Sequence, residues 1–396
     1  RAYSDSSLSF GPEYIIPKPF DHRVLVWASA AVAEAAIRTG VARNPIDIET
    51  YKESLRDKVD WSREFMRNIY TTAQRNPKRI VFPEGDDPKI IWAASEIIQE
   101  GYAKPILLTK NKEKLIAYFD ELHHDFEGIE FIEPEKWPYR DDYIKEYYRL
   151  RQRKGKSLPG AEISMRNNFY FATMMVHMGH ADGMVAGETV SYPEVLRPAL
   201  KIIGPKPDHN LVAGMYMLQH ERRNYFFADA AVNINPTADE LALITVMAAE
   251  EMERLHMEPR VAMLSFSSFG TVRAPETEKI NRAVELVRQM KPGMPVDGPI
   301  QPDLALDQEA ISKIYPFADL RRRPNLLIFP NLDAGNISLR LLRSLSQAKS
   351  IGPLIIGLNK PIHLLPRGTE VNNIVNLAAI ACVDAQHVEE ASLANA

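Results

Sequence analysis

The sequence predicts an α/β protein with mostly parallel sheets, and two observations carry that prediction. Short apolar runs bounded by Pro or Gly, such as residues 77–83, 104–109 and 260–266, alternate with segments whose apolar residues recur at helical spacing. Strands that alternate with helices form βαβ units, in which neighbouring strands run parallel. The composition, 45% hydrophobic and 25% charged over 396 residues, is typical of a globular protein and leaves room for two or three domains.

Residues 1–60 predict a helical segment that precedes the first domain. Residues 10–20 are Pro-rich and extended. Asp21 can cap a helix that Gly40 ends, and a second helix follows Pro45. These helices have too little apolar bulk to form a core alone. Because the chain begins without an initiator Met or a signal-peptide pattern, we interpret it as a fragment of a longer cytoplasmic polypeptide.

A first series of alternating strands and helices occupies residues 61–205. The predicted strands are residues 77–83, 104–109, 129–132 and 182–187, and the predicted helices are residues 61–76, 89–99, 141–153 and 192–201. Gly101 ends the second of these helices, and Pro193 lies in the first turn of the last. The series predicts one lobe built on a parallel sheet.

A second series begins after Gly204-Pro-Lys-Pro207, a Pro-rich segment that is a candidate boundary between two lobes. Beyond it the predicted strands are residues 260–266 and 325–330, and the predicted helices are residues 238–255, 276–290 and 335–345. Thr237 caps the first of these helices, and Glu240 completes a capping-box pattern.

The stretch from residue 353 to 382 carries the first candidate for a functional site. A buried strand, residues 353–357, precedes a loop with Arg367 and Gly368, and an apolar helix follows the loop. Strand-to-helix loops in α/β proteins commonly bind anions, because the helix N-terminus offers free N–H groups. Arg367 would add a forked cation suited to phosphate. The pattern alone leaves an ordinary surface arginine equally open.

The same loop resembles the closing motif of the phosphate acetyltransferases, or phosphotransacetylases. Where that family reads Asp-Leu-Ser-Arg-Gly, this chain reads Leu364-Leu-Pro-Arg-Gly368. Pro366 stands at the family's serine position, and Asn373 stands at its aspartate position. Pro has no hydroxyl, and Asn does not take up a proton as a carboxylate base does. The resemblance therefore implies a site that still holds a phosphate-bearing ligand but has lost its catalytic residues.

Three further segments carry the resemblance, which extends over about residues 75 to 386. They are Asn233-Ile-Asn-Pro-Thr-Ala238, Ser265-Phe-Ser-Ser-Phe-Gly-Thr271, in which Phe269 replaces the family's lysine, and Phe329-Pro-Asn-Leu-Asp-Ala-Gly-Asn336. The resemblance implies two α/β/α lobes with a cleft between them, lobe I of residues 61–205 plus 357–396 and lobe II of residues 206–356. It also implies Ser267, Ser268 and Gly368 as ligand-binding residues.

Two further arginines, Arg151 and Arg197, match family positions associated with ligand binding. With Arg367 they would bring three permanent positive charges to the cleft, and coenzyme A carries several phosphate charges that Arg binds bidentately. From the pattern alone, Arg151 is more simply part of a solvated basic helix face, and Arg197 is an exposed first-turn residue. The basic run at residues 149–156 contains no recognisable nucleic-acid module, so we do not expect a nucleic acid partner.

The N-terminal segment resembles the end of the nucleotide-binding domain of bacterial malic enzymes, on the run Gly11-Pro-Glu-Tyr-Ile-Ile-Pro-Lys-Pro-Phe-Asp21. A linker that packs on the next domain is the alternative. The whole chain thus resembles the C-terminal part of hybrid malic enzymes, which oxidatively decarboxylate malate to pyruvate. The resemblance implies NADP and Mg²⁺ or Mn²⁺ in an upstream domain, and acetyl-CoA as an allosteric inhibitor bound here. It also implies a dimer through this module and a hexamer of the whole enzyme.

Two rival interpretations stay open. One is an active phosphate acetyltransferase that moves acetyl between phosphate and coenzyme A, which Pro366 and Asn373 disfavour. The other is an assembly domain that binds no ligand. Either rival would keep the same fold, so only binding and turnover separate the three.

Composition disfavours several other classes of function. The net charge of -4 implies no general attraction to nucleic acid or an anionic membrane. The single cysteine, Cys382, excludes an internal disulfide, and no apolar run approaches the roughly 20 residues that span a bilayer. His177 and His180 have a metal-like spacing without an evident acidic or cysteine partner, and His123-His-Asp125 predicts a polar loop.

Overall fold

A computed structural model describes residues 22–44, 46–48, 51, 52, 55, 61–121, 126–220, 223–346 and 348–394. The chain divides into two compact units, one of residues 1–64 with 221–223 and one of residues 65–220 with 224–396. In the first unit, helix α1 spans His22–Arg38, and Gly40 follows it with a φ of +73°. The predicted connector 10–20, the cap Asp21, most of the second predicted helix and residues 123–125 lie outside the described residues.

Strands and helices alternate along the described residues from 61 to 394. The strands are β1 Arg79–Phe82, β2 Lys104–Leu108, β3 Glu130–Ile132, β4 Gly183–Ala186, β5 Ala213–His220, β6 Arg223–Ala228, β7 Val261–Leu264, β8 Val296–Ile300, β9 Leu326–Ile328, β10 Lys349–Ile356 and β11 Ile362–Leu364. The α-helices are α2 Trp61–Arg75, α3 Pro88–Glu100, α4 Lys112–Glu121, α5 Arg140–Arg151, α6 Leu158–Ser164, α7 Asn168–His177, α8 Tyr192–Ile202, α9 Ala238–Arg254, α10 Pro275–Met290, α11 Pro302–Leu306, α12 Gln308–Ile314, α13 Leu332–Ser346 and α14 Val371–Ala394. Among the described residues, no helix combines the length and apolarity needed to cross a membrane.

The strands form two sheets. The first has five strands in the order β11-β4-β1-β2-β3, and every neighbouring pair in it is parallel. The second has six strands in the order β10-β5-β6-β9-β7-β8. In it β6, β9, β7 and β8 run parallel, and β10 is antiparallel to β5. The predicted α/β class with mostly parallel sheets is therefore confirmed.

Several helix ends follow the sequence signals that predicted them. Thr237 Oγ1 accepts a hydrogen bond from the backbone N–H of Glu240 at 3.3 Å, and the Glu240 carboxylate accepts from the N–H of Thr237 at 2.7 Å. Gly101 ends α3 in the left-handed conformation, with a φ of +72°. Glycine adopts this conformation without steric cost, which is why it stops helices so often. Both signals act within four residues of chain.

Helix α14 lies in a large hydrophobic core. It packs on α3, on strands β1, β4 and β11 of the first sheet and on β10 of the second. Its residues from Leu377 to Val383 are almost completely buried, so this part of the helix is enclosed on every side. Burial raises the pKa of the Cys382 thiol to about 11, and the thiol accepts from the N–H of Lys78 at 3.2 Å. A thiol in this state is a small core residue and not a nucleophile.

The structure corrects the position of the strand that precedes Arg367. Residues 353–356 are the end of β10, an antiparallel strand of the second sheet. The chain then crosses to the first sheet and forms β11, from which the Arg367 loop leaves. We predicted residues 361–370 as a loop, because a three-residue strand is too short to show periodicity. Its hydrogen-bonded pairing with β4 decides its conformation.

Candidate functional site

The loop that carries Arg367 is fixed from behind by backbone hydrogen bonds to the loop after β4. The N–H of Leu365 donates to the carbonyl oxygen of Ala186 at 2.7 Å, and the N–H of Gly368 donates to that of Glu188 at 3.3 Å. Gly368 has a φ of +72°, which turns the chain into α14. Arg367 itself is exposed. The guanidinium therefore projects to solvent from a rigid turn at the carboxyl edge of the first sheet.

A buried carboxylate and a lysine strengthen this connection. The Glu188 carboxylate accepts from the N–H of Thr369 at 2.8 Å and forms an ion pair with Lys89 Nζ at 2.8 Å. Lys89 Nζ also donates to the carbonyl oxygen of Thr369 at 2.8 Å. Charge-assisted hydrogen bonds are about twice as strong as neutral ones. The two loops therefore behave as one unit on which Arg367 is mounted.

Pro366 precedes Arg367 in this turn, and Asn373 follows in the first turn of α14. Pro366 begins the turn, and its carbonyl oxygen accepts from the N–H of Thr369 at 3.1 Å. Asn373 Nδ2 donates to Thr369 Oγ1 at 2.7 Å, and Asn373 Oδ1 is buried without a partner among the described residues. A proline and an amide supply no hydroxyl and no carboxylate base. Of these three residues, only Arg367 carries a positive charge.

Arg197 and Arg367 both influence the carboxylate of Glu194. Helix α8 carries Arg197, which is exposed, and Ser191 and Glu194 cap the start of that helix. The hydrogen bond from the Ser191 hydroxyl lowers the pKa of Glu194, and the charges of Arg367 and Arg197 lower it further. Both guanidinium charges therefore lie within electrostatic range of the Glu194 carboxylate. A shared part in ligand binding stays a prediction.

Arg151 is less closely tied to this face. It is the last residue of α5 and is half-buried. Burial raises the pKa of Tyr147 to about 12, and the neighbouring charge of Arg151 opposes that shift. The contacts of the described residues do not join Arg151 to Arg197 or Arg367. Its part in ligand binding stays a prediction.

A pocket of about 800 Å³ opens at the carboxyl edge of the second sheet. Its walls come from the three segments that carried the family resemblance in lobe II, together with the start of α10. The lining residues include Ile234, Asn235, Pro236, Thr237, Ser265, Phe266, Pro275, Glu276, Lys279, Phe329, Pro330 and Asn331. Its volume lies in the range of small-molecule and cofactor sites. None of the six predicted ligand-binding residues lines it.

Lys279 is the cation of this pocket, and the sequence analysis missed it. Its Nζ donates to Asn235 Oδ1 at 3.1 Å and to the carbonyl oxygens of Pro236 at 3.2 Å and Pro330 at 2.9 Å. Partial burial lowers the pKa of Lys279. A lysine one turn into an amphipathic helix gives no local signal of a site. Its partners come from segments 43 and 51 residues distant in sequence, which only the fold brings together.

Ser267 and Ser268 lie beside this pocket, but their hydroxyl groups are engaged within the protein. Ser267 Oγ accepts from the N–H of Val272 at 3.1 Å, and Ser268 Oγ accepts from the N–H of Gln301 at 3.1 Å. Both side chains are buried. Ligand binding by these two hydroxyls stays a prediction, and it would require an exchange of these hydrogen bonds.

Phe269 stands at the family's lysine position, in the same turn as Ser267 and Ser268. Its ring packs in an aromatic cluster. Its ring lies 4.7 Å from that of Tyr315 and 5.2 Å from that of Phe317, measured between centroids. Phe269 has a φ of +46°, an uncommon value for a residue with a side chain. The position therefore offers an apolar surface where a lysine would offer a charge.

His177 and His180, whose spacing resembled that of metal ligands, have separate partners. His177 Nε2 lies 3.0 Å from Glu146 Oε1, and His180 Nδ1 lies 2.7 Å from the Tyr143 hydroxyl. The two rings therefore do not converge on one point. Each is part of the packing around α5 and α7.

Comparison with known proteins decides the family. The family model described as phosphate acetyl/butaryl transferase matches residues 64–382. The chain belongs to this family. The crystal structure of a phosphotransacetylase from Streptococcus pyogenes has the same fold as this phosphotransacetylase-like chain, with a TM-score of 0.78 and 34% identity over 82% of this chain and 99% of that one.

Longer relatives match almost the whole chain. The NADP-dependent malic enzyme of Escherichia coli is 38% identical over 390 residues, which are 97% of this chain and 51% of that protein. The NAD-dependent malic enzyme of Rhizobium meliloti is 34% identical over 393 residues, 98% of this chain and 51% of that protein. The chain thus spans about half the length of these relatives and is similar to their C-terminal part. The predicted resemblance to both families is confirmed.

Proposed function

We propose that this chain binds acetyl-CoA without acting as an acetyltransferase, and that it regulates a malic enzyme of which it forms part. The observation that carries the proposal is the loop at Arg367. An exposed, rigidly mounted guanidinium lies between Pro366 and Asn373, which replace the family's serine and aspartate. The chain would therefore have kept ligand binding and lost catalysis.

The chemistry of acetyl transfer explains why these two replacements matter. A transferase must orient its acetyl donor and remove a proton from the attacking thiol, and a positioned base contributes about 10²–10⁴-fold. An amide takes up no proton at neutral pH, and proline donates no hydrogen bond. Arginine stays charged and keeps its affinity for phosphate. The loop is therefore suited to hold the ligand and not to transform it.

The charge distribution around the loop fits coenzyme A. Arg367 and Arg197 form a cationic face, with Glu194 as their acidic neighbour. The phosphate groups of coenzyme A would bind these two guanidinium groups, and the acetyl end would extend toward the pocket with Lys279. Acetyl-CoA would act as an inhibitor by binding more tightly to one of two arrangements of the whole enzyme.

The relatives support a malic enzyme as the parent protein. We keep an NADP-dependent enzyme as the proposal, because the Escherichia coli relative is more similar than the NAD-dependent one, at 38% against 34% identity. NADP and Mg²⁺ or Mn²⁺ would be held by the other half of the parent, so no residue of this chain is assigned to them. A cytoplasmic location is part of the same proposal.

Self-association through this module is also part of the proposal. Helix α13 presents Ile337, Leu341 and Leu345 at intervals of four residues, and they are 61%, 56% and 77% exposed. Such a stripe on the outside of a helix is typical of an interface. A second copy of the chain would cover it in a dimer, and the whole enzyme would form a hexamer.

Isothermal titration of the chain with acetyl-CoA tests the proposal. We expect saturable binding, and we expect Arg367→Ala and Arg197→Ala each to raise Kd about tenfold or more, as loss of a charge-assisted bond implies. Arg282→Ala is the matched control, because Arg282 is exposed and its ion pair with Glu285, at 3.2 Å, lies on the surface of α10. Absence of binding by the unmodified chain would leave assembly as its function.

An active phosphate acetyltransferase is the second candidate. The pocket of about 800 Å³ favours this candidate, because the segments that resemble the family line the pocket. The fold of the chain also matches that of phosphotransacetylases. The test is phosphate-dependent release of coenzyme A from acetyl-CoA. Sustained turnover that the Arg367→Ala variant loses would establish a transferase and overturn the regulatory proposal.

A further inference from the structure

A row of polar side chains crosses from one sheet to the other behind the Arg367 loop. His363 in β11, of the first sheet, accepts at Nδ1 from the N–H of Ile355 in β10, of the second sheet, at 3.2 Å. His363 Nε2 lies 2.8 Å from Asp384 Oδ2 on α14. Asp384 in turn contacts Glu251 on α9, and Glu251 pairs with Arg254. These side chains therefore link β11 and α14 with β10 and α9.

Two oxygens in this row of side chains lack a hydrogen-bond partner among the described residues. Glu251 Oε1 and Asp384 Oδ1 are both buried, and neither accepts a hydrogen bond among the described residues. The side chains are only 3% and 7% exposed, so water does not satisfy them freely. Ionised carboxylates only accept hydrogen bonds, so two of them in contact repel each other and leave both oxygens unsatisfied.

The charges of the surrounding groups do not balance two carboxylates. Because His363 Nδ1 accepts a backbone N–H, its ring proton lies on Nε2, where it is donated to Asp384, and the ring is neutral. Arg254 is paired with Glu251, and it also faces Glu250. Lys206 acts on Glu251 from a greater distance. One buried negative charge is left over, and a buried charge without a partner is costly.

We propose that Glu251 and Asp384 hold one proton between Oε1 and Oδ1, and that this proton is a pH-dependent lock between the two sheets. One proton satisfies both orphaned oxygens and removes the excess negative charge. It lies on Glu251, because His363 already donates to Asp384. When the proton leaves to solvent, two buried carboxylates remain in contact between α9 and α14. His363, which donates to one of them, lies four residues before Arg367. The proposal does not depend on whether acetyl-CoA binds.

The pKa shifts agree with this arrangement. Burial raises the pKa of Glu251, and contact with Asp384 raises it further. Burial alone would also raise the pKa of Asp384, but the hydrogen bond from His363 and the charge of Arg254 lower it. The folded protein therefore binds one proton more than the unfolded chain, from the ordinary carboxyl pKa near 4.3 up to the raised value.

Infrared spectroscopy of the full chain tests the presence of the proton directly. At neutral pH we expect a C=O stretch of a protonated carboxyl group in the wild type and in Glu250→Gln, the exposed neighbour on the same helix. The wild-type minus Glu251→Gln difference spectrum should contain this band. If the band disappears from the wild-type spectrum as the pH is raised, the carboxyl group has lost its proton. A difference spectrum without the band would overturn the proposal.

Urea unfolding as a function of pH tests the lock. Between the ordinary carboxyl pKa and the raised pKa of Glu251, only the folded state holds the proton. In this pH range the folding equilibrium constant of the wild type should fall as the pH rises. The fall should be steeper than that of Glu251→Gln by up to about tenfold per pH unit. Asp384→Asn, whose amide can still accept from His363 and donate to Glu251, should also lose this slope. The Glu250→Gln variant removes a neighbouring carboxylate of the same helix instead, and it should keep the wild-type slope. Parallel slopes in the wild type and both pair variants would refute the lock, and the wild-type infrared titration decides if a variant does not fold.

Discussion

Glu84 stabilises the loop after β4, which in turn fixes the Arg367 loop. Replacing Glu84 by alanine is therefore the most informative perturbation. The Glu84 carboxylate accepts from the N–H groups of Gly187 at 2.7 Å, Glu188 at 3.2 Å and Thr189 at 2.7 Å, and from the Thr189 hydroxyl at 2.6 Å. These residues form the loop that fixes Gly368 and Thr369. Without the carboxylate, the donors of that loop lose a common acceptor.

The expected loss of stability follows from which donors water can reach. Thr189 is exposed, so water replaces the carboxylate there, whereas Gly187 and Glu188 are buried. Hydrogen bonds to a charged group contribute about 1.5–3 kcal/mol each. Taking the lower value for the two buried donors, Glu84→Ala should cost about 3 kcal/mol, or about 150-fold in the unfolding equilibrium.

Urea unfolding followed by tryptophan fluorescence measures this cost. Glu84→Gln keeps one carbonyl oxygen as an acceptor and should lose about half as much free energy, roughly 1.5 kcal/mol. Glu135→Ala removes an exposed carboxylate and should stay within about 0.5 kcal/mol of wild type. If Glu84→Ala also stays within about 0.5 kcal/mol, the carboxylate does not support the loop and the reasoning fails.

Three further substitutions test other parts of the structure. Thr237→Ala removes the cap of α9 and should cost about 1 kcal/mol in urea unfolding; no loss would mean that the capping box is redundant. Gly335→Ala would place a Cβ 2.5 Å from the carbonyl oxygen of Asp229, so thermal unfolding should show destabilisation by about 1–3 kcal/mol despite the better helix propensity of alanine. Asn373→Asp with Pro366 retained should show no acetyl transfer in a turnover assay, and turnover would mean that one carboxylate restores catalysis.

Local signals in the sequence predicted much of the fold and part of the site. The capping pair Thr237 and Glu240 and the helix stop at Gly101 lie where predicted, because their hydrogen bonds join residues within four positions. The family segments predicted the neighbourhood of the pocket. The part of Arg197 and Arg367 in ligand binding stays a prediction.

Long-range contacts decided what the sequence left undetermined. The short strand β11 exists because β4 pairs with it, and Lys279 lines a pocket because its acceptors come from distant segments. The buried pair of Glu251 and Asp384 joins residues that look like ordinary helix carboxylates in the sequence.

Residue type and order were enough to predict the α/β class and the family, and they predict that Pro366 and Asn373 replace two reactive residues beside a retained arginine. The three-dimensional fold was needed to show which charges lie buried together and which loop supports Arg367. Electrostatic cost depends on desolvation and on distances through space, and neither is encoded in any local stretch of the chain.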